Sequence, residues 1–289
     1  MDAEQASAPQ ARHGTEAGAH RAYEVRRGSA NGLEAAETDQ IAAEVPIALE
    51  YNGISHATVL ASPSDIEDFA YGFSFTEGVI ARASDIYDLE ISQRPEGIVV
   101  QLEIASARLH ALKQRRRNLA GRTGCGLCGI ESLGEVRRTL APLEPPAATL
   151  TRQAVNTAVM QLRSRQPLHV LTGASHAAAW ADWQGRLDDV REDVGRHNAL
   201  DKLIGHLLRN DRLGAPGIAV ITSRASFEMV QKAAAAGLRA LVAISAPTSY
   251  AIDVANELNV MLAGFARNEG FTVYSHPEML DDTDAGRLT

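Results

Sequence analysis

Cys125 and Cys128 are the only two cysteines in 289 residues, and they sit three apart in Gly124-Cys125-Gly126-Leu127-Cys128-Gly129. Glycines at 124, 126 and 129 let a backbone expose both sulfurs. Arg122, together with the start of a following helix, would stabilise a thiolate. Such a sulfur can attack a persulfide donor and hold the sulfane sulfur as Cys-S-SH, and the second cysteine can resolve the adduct as a disulfide. Zinc competes for the same thiolates, although two cysteines supply only half of a structural site. A zinc deaminase joins His-x-Glu to Pro-Cys-x-x-Cys. His276-Pro277-Glu278 spells the first part but follows the cysteines, and Gly124 stands in place of the proline. The loop also spells Gly-x-Gly-x-x-Gly, but no apolar strand feeds it, so it lacks the context of a dinucleotide fingerprint. The bland alternative is a surface loop with two inert thiols.

Four other stretches could carry chemistry. Lys113, Arg115, Arg116, Arg117 and Arg122 precede the thiols with no acid among residues 109–122, a field that draws phosphates or an acidic partner. Residues 191–203 are densely polar: Gly195 permits a close turn, and Arg196 and His197 fall in the first turn of a helix, where an anion is favoured. His197 and Asp201 are four apart, so the carboxylate is expected to orient the imidazole. Thr222-Ser223-Arg224-Ala225-Ser226 and Ser245-Ala246-Pro247-Thr248-Ser249 each follow an apolar strand and open a helix. Hydroxyls and free amides there suit phosphate or ribose, although N-capping explains either turn alone.

The elements that must position these residues can be read from pattern. Residues 1–37 read as a disordered tail, polar and without periodicity. Residues 45–51 and 56–60 read as a hairpin around Asn52-Gly53. A helix follows to about Glu77, with Ser64 as N-cap and Glu67 completing a capping box. Residues 86–91 and 97–104 read as two more strands, completing a small α+β domain over residues 38–120. The cysteine loop and a helix at 130–140 fill residues 121–148. In the second domain, residues 149–279, a helix at 153–163 precedes a strand at 168–172 and a hairpin partner at 177–183. A helix at 197–208 follows, then two strand-turn-helix units at 217–236 and 240–258, and strands at 260–265 and 271–274. This alternation implies an α/β protein whose second sheet is mixed, largely parallel and covered on both faces. Ligands on such sheets sit at the carboxyl ends of the strands, here near Thr222, Ser223, Ser245 and Phe265. Residues 280–289 read as a C-terminal tail.

Composition narrows the classes. The chain is 45% hydrophobic and 22% charged, with a net charge of -8, which argues against a general nucleic-acid binder. No apolar run reaches the roughly 20 residues of a membrane span. A secretory signal is not expected, nor a mitochondrial presequence, given Glu4, Glu16 and Glu24. The cytoplasm, where free thiols persist, is the expected location.

Taken together, Gly121-Arg122-Thr123-Gly124-Cys125-Gly126-Leu127-Cys128-Gly129, the polar run at 192–203 and Thr222-Ser223-Arg224 resemble the FdhD family, the formate dehydrogenase accessory sulfurtransferases. Gly72-Phe73-Ser74-Phe75-Thr76-Glu77-Gly78, Gly264-Phe265-Ala266-Arg267 and residues 272–277 add to the likeness, which spans roughly residues 45–276. The resemblance implies a sulfur carrier that accepts sulfane sulfur from a cysteine desulfurase. It passes the sulfur to the molybdenum (or tungsten) bis-guanine-dinucleotide cofactor, Mo-bis(molybdopterin guanine dinucleotide), before insertion into formate dehydrogenase. It places the persulfide on Cys125, with Cys128 assisting, and the cofactor contact on Phe265, Ala266, Arg267, Asn268, Glu269 and Gly270. It also implies a cytidine-deaminase-like second domain of αβα architecture without zinc chemistry or a permanently bound metal, and a homodimer. Two other readings stay open: a zinc-dependent nucleobase hydrolase, and an adaptor that inserts cofactor without moving sulfur.

Overall fold

The computed structural model describes residues 18–120, 138–146, 148–267 and 270–281. Cys125, Cys128, Arg122, Asn268 and Glu269 lie outside the described residues, as does most of the helix expected at 130–140. Residues 138–140 are irregular.

Part of the expected tail is ordered. β1 (His20–Ser29) and β2 (Gly32–Ala42) form an antiparallel hairpin that turns at Gly32, whose φ of 117° suits glycine. Neither strand alternates apolar with polar residues, so the pattern signal was silent. Cross-strand polar contacts serve instead, with Arg27 paired to Glu37 and Asp39, and His20 Nδ1 2.8 Å from Gln40 Oε1.

β3 (Val45–Tyr51), β4 (Ile54–Ala61), β5 (Ile86–Arg94) and β6 (Gly97–Ile104) make a four-stranded sheet in the order β4-β3-β6-β5. The β3–β4 turn uses Asn52 and Gly53, both with positive φ, as the sequence predicts. α1 (Ile66–Thr76) carries Ile66, Phe69, Ala70 and Phe73 at helical spacing, and this face packs on the sheet. Its start departs from the expected capping box. Asp65 is the N-cap, left-handed at φ 50°, without a side-chain cap bond. Its carboxylate lies instead 3.4 Å from Arg191, and Glu67 pairs with Arg209. Distant arginines thus outcompete the local cap. α1 ends as expected at Gly78, φ 69°. α2 (Ser106–Ala120) then carries the start of the basic stretch.

β7 (Leu150–Thr151), α3 (Arg152–Arg163) and α4 (Pro167–Thr172) follow. α4 stands where the sequence predicts a strand at 168–172. Pro167 opens the helix, and the Glu192 carboxylate accepts from the Leu168 and His169 amides at 2.8 and 2.9 Å, doing the work of a cap. The hairpin partner of β8 (His176–Asp182) is instead β9 (Leu187–Asp193), an edge strand too acidic to read as one. Next come α5 (Arg196–Arg209), β10 (Gly217–Ile221), α6 (Phe227–Ala235), β11 (Ala240–Ala243) and α7 (Ser249–Glu257). β12 (Met261–Arg267), β13 (Gly270–Ser275) and β14 (Leu280–Asp281) close the fold. The large sheet runs β13-β12-β11-β10-β8-β9. β10, β11 and β12 are parallel, and the flanking pairings are antiparallel, so the sheet is mixed with a parallel centre instead of largely parallel. Alternate residues serve two cores: Ala219, Ile221 and Leu241 face α5, α6 and α7, while Ile218, Val220 and Val242 face α3. Among the described residues no helix is long and apolar enough to cross a membrane.

α1 and α5 hold the two sheets together. Gly72 and Gly205 meet at the crossing, where an added Cβ would lie 1.7 Å from the Asp201 carbonyl oxygen and 1.8 Å from that of Asp68. At one end of the crossing, Asp68 takes Arg191 Nε at 2.9 Å and Arg209 Nη1 at 2.5 Å; at the other, Thr76 Oγ1 donates to Asp201 at 2.7 Å. Burial pushes the Asp68 carboxyl up, but His206, Arg191 and Arg209 overcome this and lower it to about 2. His206 is raised by its bonds to Asp189 and Asp68. Nearby, Lys202, fully buried, donates to Asp193 at 2.7 Å and to the Ser62 carbonyl at 3.0 Å.

Gly72→Ala is expected to destabilise by about 3 kcal/mol or more, because two backbones must part. The helix-propensity gain of about 1 kcal/mol is too small to offset this. Denaturant unfolding checks it, and a neutral result would show that the crossing can relax. His206 stabilises while charged: its folded pKa lies above the ordinary 6.5, so the contribution is complete below that value and lost as pH rises through the folded one. Wild-type stability is expected to fall between about pH 6 and about pH 8 more steeply than that of His206→Gln. Parallel urea curves at both pH values would refute the assignment.

Candidate functional site

The carboxyl ends of β10, β11 and β12 form one continuous rim. The turns after β10 and β11 are zipped together: the Ala225 amide donates to the Ala246 carbonyl at 3.2 Å and the Thr248 amide to the Ala225 carbonyl at 3.1 Å. The Phe265 amide donates to the Ser245 carbonyl at 3.1 Å, joining the end of β12. This approach needs Gly264, where a Cβ would stand 2.8 Å from Pro247 Cδ. On the other side, the Ala177 amide donates to Thr222 Oγ1 at 2.9 Å, which ties the start of β8 to the rim. His197 Nε2 lies 3.0 Å from Glu228 Oε2, linking the first turns of α5 and α6.

The residues predicted from sequence thus gather, but with different roles. Thr222 spends its hydroxyl on Ala177, and Ser223 donates to the Arg224 carbonyl at 3.0 Å. Arg224 and Arg267 are exposed, and Ser245 is half-buried. Phe265 is left-handed at φ 53° and 43% exposed, so its ring stands free of the core, whereas the Ala266 side chain is buried. Gly270 pairs with Arg267 where β12 turns into β13. Thr248 caps α7 by accepting from the Ala251 amide at 3.3 Å, the plain structural role. Ser226 at the start of α6 makes no such bond. Its Oγ and the Nε of Arg196 are buried polar atoms without a hydrogen-bond partner among the described residues. Buried polar atoms of this kind call for a partner, whether a water, an ion or a ligand.

The electrostatics favour an anion. The N-termini of α5, α6 and α7 converge on the rim, beside Arg196, Arg224 and Arg267. Burial lowers the pKa of His197, with Arg196 and Lys232 adding to the fall and Glu228 opposing it. Burial also lowers that of His176, again with Arg196, and with His169. Both rings are therefore neutral near pH 7 and gain a proton most readily when a phosphate approaches. His176 and His169 carried no spacing signal in the sequence; only the placement of β8 and α4 brings them in.

The expected His197–Asp201 pairing does not form. Asp201 turns into the seam, where Lys232 Nζ bonds both carboxylate oxygens at 2.9 Å, Thr76 Oγ1 at 2.9 Å and Glu77 at 3.2 Å. Burial works against the Lys232 ammonium, but Asp201 and Glu77 outweigh it and hold its pKa above the ordinary lysine value. Among the described residues no group of three or more His, Cys, Asp or Glu could hold a metal ion. His276 and Glu278 contact each other beyond β13, whose Ser275 pairs with Leu262 at the amino end of β12, away from the rim.

Comparison with known proteins defines the class. Residues 42–281 match the model of the FdhD/NarQ family. The chain is similar to the sulfur carrier protein FdhD of Bordetella petrii, 56% identical over 85% of this chain and 88% of the relative. It is likewise similar to those of Bordetella bronchiseptica (53%, 90% and 95%) and Cupriavidus necator (54%, 84% and 84%). A crystal structure from Desulfotalea psychrophila, provisionally assigned as a formate dehydrogenase accessory protein, has the same fold. Its TM-score is 0.70 at 23% identity, covering 91% of this chain and 99% of that one. The chain belongs to the FdhD/NarQ family.

Lys232→Met is expected to cost about 3–5 kcal/mol, because it strands a buried carboxylate. The double variant Lys232→Met/Asp201→Leu should recover most of that loss. Chemical denaturation decides, and a single variant as stable as wild type would remove the pair from any role in the seam.

Proposed function

We propose that this protein carries sulfane sulfur on Cys125 and delivers it to a guanine-dinucleotide molybdenum cofactor destined for formate dehydrogenase. Family membership across residues 42–281 supports the sulfur-carrier role and its place in formate dehydrogenase maturation. In the first step the Cys125 thiolate attacks the outer sulfur of a cysteine desulfurase persulfide. The donor S–S bond breaks, the donor leaves as a thiolate with the electron pair, and Cys125-S-SH remains. Delivery as sulfide takes two electrons. Cys128 supplies them by attacking the Cys125 sulfur, forming the Cys125–Cys128 disulfide and expelling hydrosulfide toward the acceptor. A dithiol reductant then restores both thiols.

The acceptor's phosphates and guanine are assigned to the strand-end rim. The observation that carries this assignment is that Arg196 Nε at the start of α5 and Ser226 Oγ at the start of α6 are buried without a partner among the described residues. Arg196, His197, Ser223, Arg224 and Ser245 would contact phosphate and ribose, with Phe265 offering a ring to the base. Thr222 holds the rim together. Residues 265–270, including Asn268 and Glu269, complete the cofactor contact. The four-stranded and six-stranded sheets are read as two domains, the second cytidine-deaminase-like, and the working unit as a cytoplasmic homodimer.

The test is incubation with a cysteine desulfurase and radiolabelled cysteine. Wild type is expected to gain label that thiol reductants remove, Cys125→Ser to lose it, and Cys128→Ser to load but not deliver. A wild-type protein that takes no label yet still activates formate dehydrogenase would make it a cofactor adaptor instead.

A further inference from the structure

We propose that His176 joins Arg196 and His197 as a contact for the acceptor's diphosphate, and that the two imidazoles bind it by taking up protons. This rests on the assignment of the acceptor's phosphates to the rim, made above.

The three residues gather where β8 and α5 begin. His176 opens β8 and is paired in register with Asp193, three residues before Arg196, the first residue of α5. The Ala177 amide, next along β8, is bonded to Thr222 Oγ1, so the start of β8 stands beside the turn at 222–226. Among the described residues four buried side-chain nitrogens or oxygens have no hydrogen-bond partner, and three of them lie here. They are Arg196 Nε, His197 Nε2 and Ser226 Oγ, all at the starts of α5 and α6. His197 Nε2 comes within 3.0 Å of Glu228 Oε2 without making a hydrogen bond to it.

The nearby acids are committed elsewhere. Asp193 accepts from the Gly195 amide at 2.7 Å, the Ser62 amide at 3.0 Å and Asn198 Nδ2 at 3.1 Å, and pairs with Lys202 at 2.7 Å. Glu192 accepts from the Leu168 and His169 amides and from Ser175 Oγ, the last at 2.7 Å. Asp201 is held by Lys232 and Thr76. That leaves Glu228, its side chain 49% exposed, to face His197 from α6. The other groups around the cluster are cationic or basic. Lys232 acts on His197 from α6, His169 acts on His176 from α4, and Arg224 is the one charged residue of the turn at 222–226. Nitrogen donors therefore outnumber uncommitted carboxylates, and an incoming dianion restores the balance.

The protons follow from the same arrangement. In the free protein burial, the main cause, holds both rings below the ordinary 6.5, so they are neutral near pH 7. A phosphate dianion in contact with them raises both values. At any pH between the free and bound values, binding takes up protons. Affinity falls as pH rises through that window, by up to about ten-fold per pH unit for each ring. A terminal phosphate loses its second proton near about pH 6, so above about pH 7 its own charge is constant and the fall belongs to the protein.

The experiment is calorimetric titration of the full chain with GDP. Wild-type affinity is expected to fall roughly ten-fold between about pH 7 and about pH 8, and by less than about two-fold in the double variant His176→Gln/His197→Gln. Each single variant should show an intermediate fall. A second measurement needs no variant: wild type titrated in two buffers of different ionisation enthalpy should take up about one proton or more per GDP near pH 7. Binding that releases or takes up no protons, or a pH dependence that survives in the double variant, overturns the proposal and leaves the rim standing as the nucleotide site. A wild-type protein that binds no GDP overturns both. If the protein takes no sulfur label but binds GDP with proton uptake, the sulfur-carrier reading fails and this one stands.

Discussion

Where α1 crosses α5, the carbonyl oxygens of Asp68 and Asp201 occupy the positions that β-carbons at Gly205 and Gly72 would need. The two backbones therefore touch, and everything else in the seam is arranged around that contact. The pattern is the same on both helices. Asp68, Gly72 and Thr76 recur every four residues along α1, as Asp201, Gly205 and Arg209 do along α5. In antiparallel register each polar residue meets a polar partner at the ends, with glycine against glycine between them. This stripe orients the small sheet on the large one, and its two ends serve different purposes. The Asp68 end is a charge network with His206, Arg191 and Arg209. The Thr76 end passes through Lys232 to α6, and so to the rim.

The proposed division of labour follows from this placement. A rim made of strand ends and helix N-termini is held together by bonds between its turns and to β8. On the proposed reading it offers fixed donors to a large anionic cofactor. The thiols belong to a different stretch of chain, attached to the body by α2 on one side and Arg138 on the other. Under the proposed function one thiol must meet two partners in turn, a donor protein and a cofactor.

Much of this architecture was legible in the residues. The apolar strands of the parallel centre, the Asn52-Gly53 hairpin and the stop at Gly78 are local signals, and local chemistry decides them. The readings that failed share a cause in distant partners. Ser64 and Glu67 spell a capping box, but Arg191 and Arg209 claim the acidic groups nearby. Residues 168–172 look like a strand until Glu192 caps them as a helix. His197 and Asp201 have the spacing of a pair, yet Lys232, 31 residues on, takes the carboxylate. The turns at 222–226 and 245–249 were placed at neighbouring strand ends because strand-turn-helix units are written locally in the sequence. Lys232 and His176 were missed because only tertiary packing brings them into place.

The charges in the seam differ in their access to water. Lys202 and Asp193 are fully buried, whereas Arg209 and Glu67 meet at the rim of the same interface with side chains 35% and 52% exposed. In concentrated salt, where the Debye length falls to about 3 Å, dissolved ions weaken the second kind of pair and scarcely reach the first. Concentrated salt therefore loosens the outer fringe of the junction between the sheets and leaves its centre gripped. A junction built in this way keeps the small and large sheets in register over a wide range of ionic strength.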